Sequence, residues 1–380
     1  MHSRSHQSEP LFCGTHSDHY CASLLTCNKN ELKTTALRAL VFRLNTAREN
    51  TSQMFKKIAL GSAALIASTC MAFAETNLRL SDVLPEGNFM VENAKTFAAA
   101  VEEATDGDVK ISVSAAGSLG FKGPDQLNAV RDGLVDMADI NISQQVGSNA
   151  LFGAEGVPFL VSSMEELKDY HAYLRPEFEA LFEKYNQKLL YMVPSPAQYV
   201  YLKTKVETIE GFEGIAVRGA DKNTVDIITA IGMDGIVMPW GELLPALASG
   251  RVEGVATSAT SGVDGRFWEF LDYIYPTNHT WGSNAVTVNL DTWNAIPAED
   301  RAAIEKVAAD LEPGFWQVSR DSDLASIATM KENQMTLVPI SDALKAEIIA
   351  QAQDVQAKYF ARVPAAKPIA EAYLASKGSN

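Results

Sequence analysis

Two hydrophobic rhythms alternate along the chain from residue 76 onward. Short runs alternate in twos or are wholly apolar, as in NLRLSDV (77–83), VKISVSAA (109–116) and GIAVRG (214–219), and these read as strands. Between them lie amphipathic stretches of helical period. In FMVENAKTFAAAVEEAT (89–105), Phe89, Val91, Ala94, Phe97, Ala98 and Val101 fall on one stripe, and Gly107 supplies a stop. A further helix is expected near Pro124, leading into the strand GLVDMADINI. The later segment repeats the logic: strand GIAVRG, helix NTVDIITAI, strand GIVMPW, helix GELLPALAS, strand GRVEGVATS. This alternation predicts an α/β fold with mixed, mostly parallel sheets. The stretch 297–334 reads as helical over most of its length, interrupted and kinked at Pro313-Gly314, and long enough to brace two lobes.

Two lobes are expected because the pattern repeats. AVRDGLVDMADIN (129–141) aligns with ALASGRVEGVATS (246–258), pairing Gly133 with Gly250, Val135 with Val252 and Asp136 with Glu253. Any helix–glycine–strand unit shares part of this likeness. The alignment places Asn141 and Ser258 at equivalent strand ends, and ligands of open α/β sheets bind beyond those ends. Arg218 ends the strand of GIAVRG, Trp240 is expected to end the next, and Thr257-Ser258 the one after; Asn141 and Ser143 occupy that place in the first lobe. A guanidinium there suits a carboxylate, because its fork of donors matches two oxygens. The pattern alone leaves Arg218 equally open to a surface pairing with an acid such as Asp221. It also leaves Trp240 open to core packing behind Pro239, and Thr257 and Ser258 to ordinary loop roles.

Composition changes the picture at the N-terminus. Within the 380 residues, MFKKIALGSAALIASTCMAFAE has the lysines, apolar run and Ala72-Phe73-Ala74 site of a secretory leader over 54–74. Residues 1–53 then read as an over-extended start, with Glu75 the first mature residue. The 8 basic and 4 acidic residues before Glu75 leave 24 basic and 43 acidic, a net charge of −19. That balance argues against nucleic acid and anionic membrane surfaces as partners, and the acidic surface favours a monomer. All four cysteines (Cys13, Cys21, Cys27 and Cys70) precede Glu75, so the mature chain offers no disulfide, thiolate site or cysteine nucleophile. Lobe boundaries are expected at 75–197 plus about 283–320 for the first, and 198–282 plus about 321–380 for the second.

Catalytic patterns are missing. The mature chain keeps two histidines, His171 and His279, and contains no G-x-S-x-G, H-E-x-x-H, P-loop or G-x-G-x-x-G. An enzyme is therefore not expected, and neither a cofactor nor a metal is assigned. Gln198 and Glu242 offer oxygens suited to a hard cation, but Glu242 is more simply the first-turn acid of a helix.

An ordered set of segments now carries a family resemblance over nearly all of 75–380: AAGSLGFKGPDQLNAVRDGLVDMAD, GVPFL, IEGFEGIAVRG, MPWGELLPALASGRVEGV and TWGSNAVTVNLDTWNAIPAED. Together they resemble the substrate-binding component of TRAP transporters, the DctP-like family. The resemblance implies a two-lobed periplasmic clamshell that closes on a small organic acid and delivers it to integral membrane permease subunits. It also implies that Arg218, at the arginine of the family's R-V-P motif, grips the ligand carboxylate, with Trp240 on the ligand body and Thr257 at a polar contact. Asn141, Gln198, Tyr199 and Ser258 complete the expected site. Sialic-acid-type members carry a second arginine about one strand upstream, where PSPAQYVYLKT offers Gln198 and Tyr199 instead. A single arginine points to a monocarboxylate or an acid whose other end is neutral or aromatic; aromatic acids, hydroxy or oxo acids and amino-acid-like zwitterions all fit it together with an aromatic wall of Tyr199, Tyr201, Phe267 and Trp281. A binding protein that feeds a sensor would share the same fold and ligand chemistry.

Overall fold

Segments that alternate in twos form strands, and these gather into two sheets. The computed structural model describes residues 75–377; the expected leader (54–74), the segment 1–53 and residues 378–380 lie outside them. The strands are β1 (Thr76–Ser81), β2 (Val109–Ser114), β3 (Met137–Asn141), β4 (Gln187–Pro194), β5 (Gln198–Leu202), β6 (Ala216–Gly219), β7 (Asp234–Val237), β8 (Gly254–Ser258), β9 (Tyr273–Tyr275), β10 (Ser283–Asn289) and β11 (Thr336–Leu337). The first sheet runs β2-β1-β3-β10-β4, and the second β11-β9-β5-β8-β6-β7. The βαβ strands pair in parallel, whereas β10 is antiparallel to β3 and β4, and β5 to β8 and β9. These two antiparallel strands are the ones entered on crossing between sheets: β4 passes into β5 through Ser195–Ala197, and β9 returns into β10. Ser195 N donates to Gly282 O at 2.8 Å, which ties the two crossings together.

Helices cover both faces of each sheet. In chain order they are α1 (Phe89–Ala104), α2 (Gln126–Arg131), α3 (Met164–Lys184), α4 (Lys222–Ala230) and α5 (Trp240–Ala248). There follow α6 (Ala259–Asp264), α7 (Leu290–Ala295), α8 (Ala298–Glu332), α9 (Asp342–Arg362) and α10 (Ala366–Lys377). The stripe read for α1 is its buried face, from Val91 to Val101, packed on the first sheet. Asn88 starts this helix by accepting a hydrogen bond from Met90 N, and Gly107 leaves it at φ +86°, a conformation that favours glycine. Among the described residues, no helix is long and apolar enough to cross a membrane.

Two expectations about the C-terminal third are corrected. Pro313-Gly314 does not break the long helix: α8 continues through it for 35 residues, roughly 52 Å at 1.5 Å per residue. Packing on both sheets holds it. Trp316 Nε1 and Ser319 Oγ donate to the β4 carbonyls of Met192 (2.9 Å) and Pro194 (2.6 Å), and further along Met330 packs under the second sheet. The last helix, read from sequence with the second lobe, packs instead on α3 of the first. There the Tyr373 ring lies 4.9 Å from Tyr170 amid the apolar cluster of Phe178 and Leu174.

Buried acids in the first sheet make stability depend on pH. Burial pushes the Asp139 carboxyl on β3 up to about 6. Burial raises Asp82, just past β1, well above the ordinary range, and the neighbouring Asp139 adds to the effect. A carboxyl whose pKa is higher folded than unfolded stabilises the native state below about pH 4 and loses that contribution as pH rises through about 6. Asp139→Asn is therefore expected to gain about 2–3 kcal/mol over the natural protein at pH 8 and almost nothing at pH 4. Urea unfolding at the two pH values checks it, and an equal gain at both would refute the titration.

Candidate functional site

The site forms where β6, β8 and β3 end. In β6, Arg218 precedes Gly219, where a Cβ would stand 2.9 Å from Val225 Cγ2 and 3.1 Å from Thr224 Cγ2. Glycine lets α4 start directly against the strand end, and Asp221 caps that helix. Arg218 is 2% exposed. Its Nε donates to Met238 O at 2.9 Å, and among the described residues no carboxylate lies within ion-pair distance of it.

The neighbouring acid is engaged elsewhere. Asp221 accepts from Thr224 N (3.1 Å), Thr224 Oγ1 (2.9 Å) and Ser143 Oγ (3.1 Å). Surface pairing of Arg218 with Asp221 is thus not what the structure contains. Burial pulls the Arg218 guanidinium down to about 10, while the Asp221 charge opposes the shift. The group stays cationic at neutral pH, buried and short of a matched anion, which is costly unless a ligand supplies one.

Arg218 opens on a cavity of about 90 Å³ between the two sheets, small beside the ~300–1,000 Å³ of pockets for drug-sized ligands. Asn141, Gln198, Trp240, Thr257 and Ser258 line it as well. Trp240 reaches it from a different element than expected: β7 stops at Val237, and after Pro239 the tryptophan opens α5. Ser258 spends its hydroxyl on the α6 cap, with Ser261 N at 3.4 Å and Thr260 Oγ1 at 3.0 Å. Gln198 turns its amide N–H to Pro196 O at 2.9 Å, leaving its carbonyl end for the cavity.

Tyr199 does not join them. Its ring packs with Tyr201, Phe267 and Met330 beneath the second sheet, and its hydroxyl donates to Asp323 Oδ2 at 2.9 Å. Of the expected aromatic wall, only Trp281 lines the cavity. Position in a strand could not separate these residues, because alternate positions of a strand buried on both faces are all apolar or aromatic. His279 is also structural: its Nδ1 lies 2.7 Å from Thr277 Oγ1, and burial depresses the ring to about 4.

Sequence reasoning missed Asn88, Thr280 and Asn284, all on the cavity wall. Polar residues at the ends of crossing segments carry no periodic signal, so only the fold reveals them. Behind that wall, buried Glu155 accepts from Ser283 N at 2.8 Å and from Ser283 Oγ, and its Oε1 lies 2.6 Å from His171 Nε2. Ser283 sits between two residues of the wall, Gly282 and Asn284.

The lobes are drawn together over the cavity. Asn88 Nδ2 donates to Asp264 Oδ2 (2.5 Å), Asn223 Nδ2 to Gly153 O (2.7 Å), and Lys122 Nζ meets Glu242 Oε1 (2.8 Å) at the mouth. A larger cavity of about 650 Å³ lies between α3 and α8, but its arginines are already paired, Arg175 with Glu312 and Arg320 with Glu165. No group of three or more His, Cys, Asp or Glu side chains is placed to hold a metal among the described residues.

Residues 80–363 match the model of bacterial extracellular solute-binding proteins, family 7. The C4-dicarboxylate-binding periplasmic protein DctP of Rhodobacter capsulatus is 26% identical over 296 residues, spanning 75% of this chain and 84% of its own. Among solved structures, DctP7 of Bordetella pertussis, a receptor binding pyroglutamic acid, superposes with TM-score 0.76 at 25% identity, covering 78% of this chain and 99% of its own. A TRAP solute-binding protein from an unidentified marine microbe, solved with co-purified pyroglutamate, does so with TM-score 0.76 at 26% identity, covering 79% and 99%. The fold, the closed two-lobed cleft and the match over most of the chain agree: this chain belongs to the DctP-like family, the periplasmic solute-binding receptors of TRAP transporters, which take up small organic acids for membrane permease components and are not enzymes.

Proposed function

We propose that this receptor captures a compact monocarboxylate with a neutral, hydrogen-bonding far end, and that L-pyroglutamate is the first ligand to try. The observation that carries the reading is Arg218, a buried cation that faces a small cavity where Asp221 is already taken up by Thr224 and Ser143, so that among the described residues no carboxylate pairs with it. The ligand carboxylate takes the guanidinium bidentately. Trp240 packs on the ligand body, while Asn141, Gln198 and Thr257 supply polar contacts from both lobes. Thr257 has more freedom for this than Ser258, whose hydroxyl serves the α6 cap. Closure excludes water, so the ion pair strengthens as the lobes shut. Binding changes shape and makes no bond, and the closed form is what the permease subunits receive.

Two similar receptors of 25% and 26% identity bind pyroglutamate, which has one carboxylate and a neutral lactam. That chemistry fits one arginine in a cavity of about 90 Å³. The test is a thermal-shift series on residues 75–380 with L-pyroglutamate, a sugar acid and a dicarboxylate. A ligand at 100 times its dissociation constant adds about 2.7 kcal/mol of stability, a clear rise in Tm. Pyroglutamate alone should give it; a shift only with the dicarboxylate would overturn the monocarboxylate reading.

A further inference from the structure

The polar network beside Arg218 constrains one side chain further than its position alone would. The Asp221 carboxylate is met by four donors: Thr224 N, Thr224 Oγ1, Ser143 Oγ and the Asn223 backbone N–H. Burial raises this carboxyl and the donors around it oppose the rise; with Thr224 N, Thr224 Oγ1 and Ser143 Oγ all turned to its oxygens, it acts as an acceptor.

Ser143 therefore faces two partners with a single hydrogen. Its Oγ lies 3.1 Å from Asp221 Oδ2 and 2.8 Å from the terminal Oδ1 of Asn141. Were the hydrogen given to Asn141, the serine oxygen and a carboxylate oxygen would face each other with nothing between them. Given to Asp221, it leaves the serine oxygen free to accept, so the Asn141 atom turned toward it must be a donor. The two ends of an asparagine amide are alike in shape, and hydrogen bonding decides which is which. One arrangement satisfies every partner: Asn141 turns its NH₂ to Ser143, Ser143 gives its hydrogen to Asp221, and the Asn141 carbonyl oxygen faces the cavity that this residue lines.

Building on the monocarboxylate reading, we propose that Asn141 is a specificity-determining acceptor, fixed in orientation across the cleft by Ser143 and Asp221, which selects acids carrying an N–H or O–H donor within its reach. The lactam N–H of pyroglutamate meets this requirement. The corresponding γ-lactone acid, with a ring oxygen in place of that N–H, presents a second acceptor to Asn141 and leaves it unpaired.

Isothermal titration calorimetry with the two ring acids tests this. The natural protein should bind the lactam about 10- to 100-fold more tightly than the lactone, as expected when a buried acceptor loses its partner. In Ser143→Ala the amide is free to turn, and the ratio should collapse to within about threefold, chiefly because the lactone gains. Should neither ring acid bind, L-lactate against pyruvate poses the same question with a hydroxyl donor. Equal affinity for both members of a pair, or a ratio unchanged in Ser143→Ala, removes the inference while the monocarboxylate reading stands. Failure of all four acids to bind removes that reading and the inference with it.

Discussion

Arg218→Ala is expected to weaken binding of L-pyroglutamate by at least about 30-fold, because truncating one partner of a buried, hydrogen-bonded charge pair costs about 2–5 kcal/mol. The loss should be just as evident in Arg218→Lys, whose point charge cannot take two carboxylate oxygens in a fork. A second readout separates binding from folding. With the lobes closed the guanidinium is 2% exposed and, among the described residues, no carboxylate pairs with it, so the protein carries it at a cost. Arg218→Met fills a similar volume without charge and should melt at a higher temperature than the natural protein despite losing the bond to Met238 O. A loss of affinity below tenfold would remove the carboxylate clamp. A lower ligand-free Tm in Arg218→Met would show that the cation is compensated within the protein.

Glu155→Ala is the second large effect, and it acts from behind the site. Glu155 is 2% exposed and gathers the first residue of β10 and His171 of α3 onto one carboxylate. Its removal strands a backbone N–H and an imidazole in the interior. Leaving buried hydrogen-bonding groups without a partner costs about 1–3 kcal/mol each, several together here, on the order of 10 °C in Tm for a domain of this size. Because Ser283 stands between Gly282 and Asn284, affinity should fall as well. Thermal unfolding of the ligand-free protein checks it, and a loss under about 1 kcal/mol would mean that the cluster is solvated and anchors nothing.

Sequence legibility followed the physics of each residue. Strands and amphipathic helices could be read because their periods repeat, and Arg218 because a strand, a glycine and a helix cap converge on it. Trp240 was placed one element early, since an apolar run through Met238 and Pro239 looks like strand until the proline is seen to open a helix. Tyr199 was misplaced because a strand buried on both faces offers no polar alternation to show which side meets the ligand. Asp221 could be named as a neighbour of Arg218, but not as a cap already met by donors from both lobes. Glu155, Asp139 and the Asn88–Asp264 contact were silent, each defined by partners far away in the chain. Proline inside α8 misled for a related reason: local propensity argued for a break, and packing against two sheets overrode it.

The place of β10 has a consequence for how the chain is made. Residues 283–289 lie between β3 and β4 in the first sheet, so a chain that emerges N-terminus first presents both neighbours long before the strand that joins them. Until then β3 and β4 expose unpaired edges, open to pairing with another chain, and the wall of the cleft bearing Asn284 does not exist. Such non-local pairing slows folding and lengthens the interval in which proteases and neighbouring chains have access. Assembly of the ligand site is thereby postponed until about three-quarters of the chain has emerged, which makes the late part of that emergence, rather than the early part, the vulnerable period in this receptor's life.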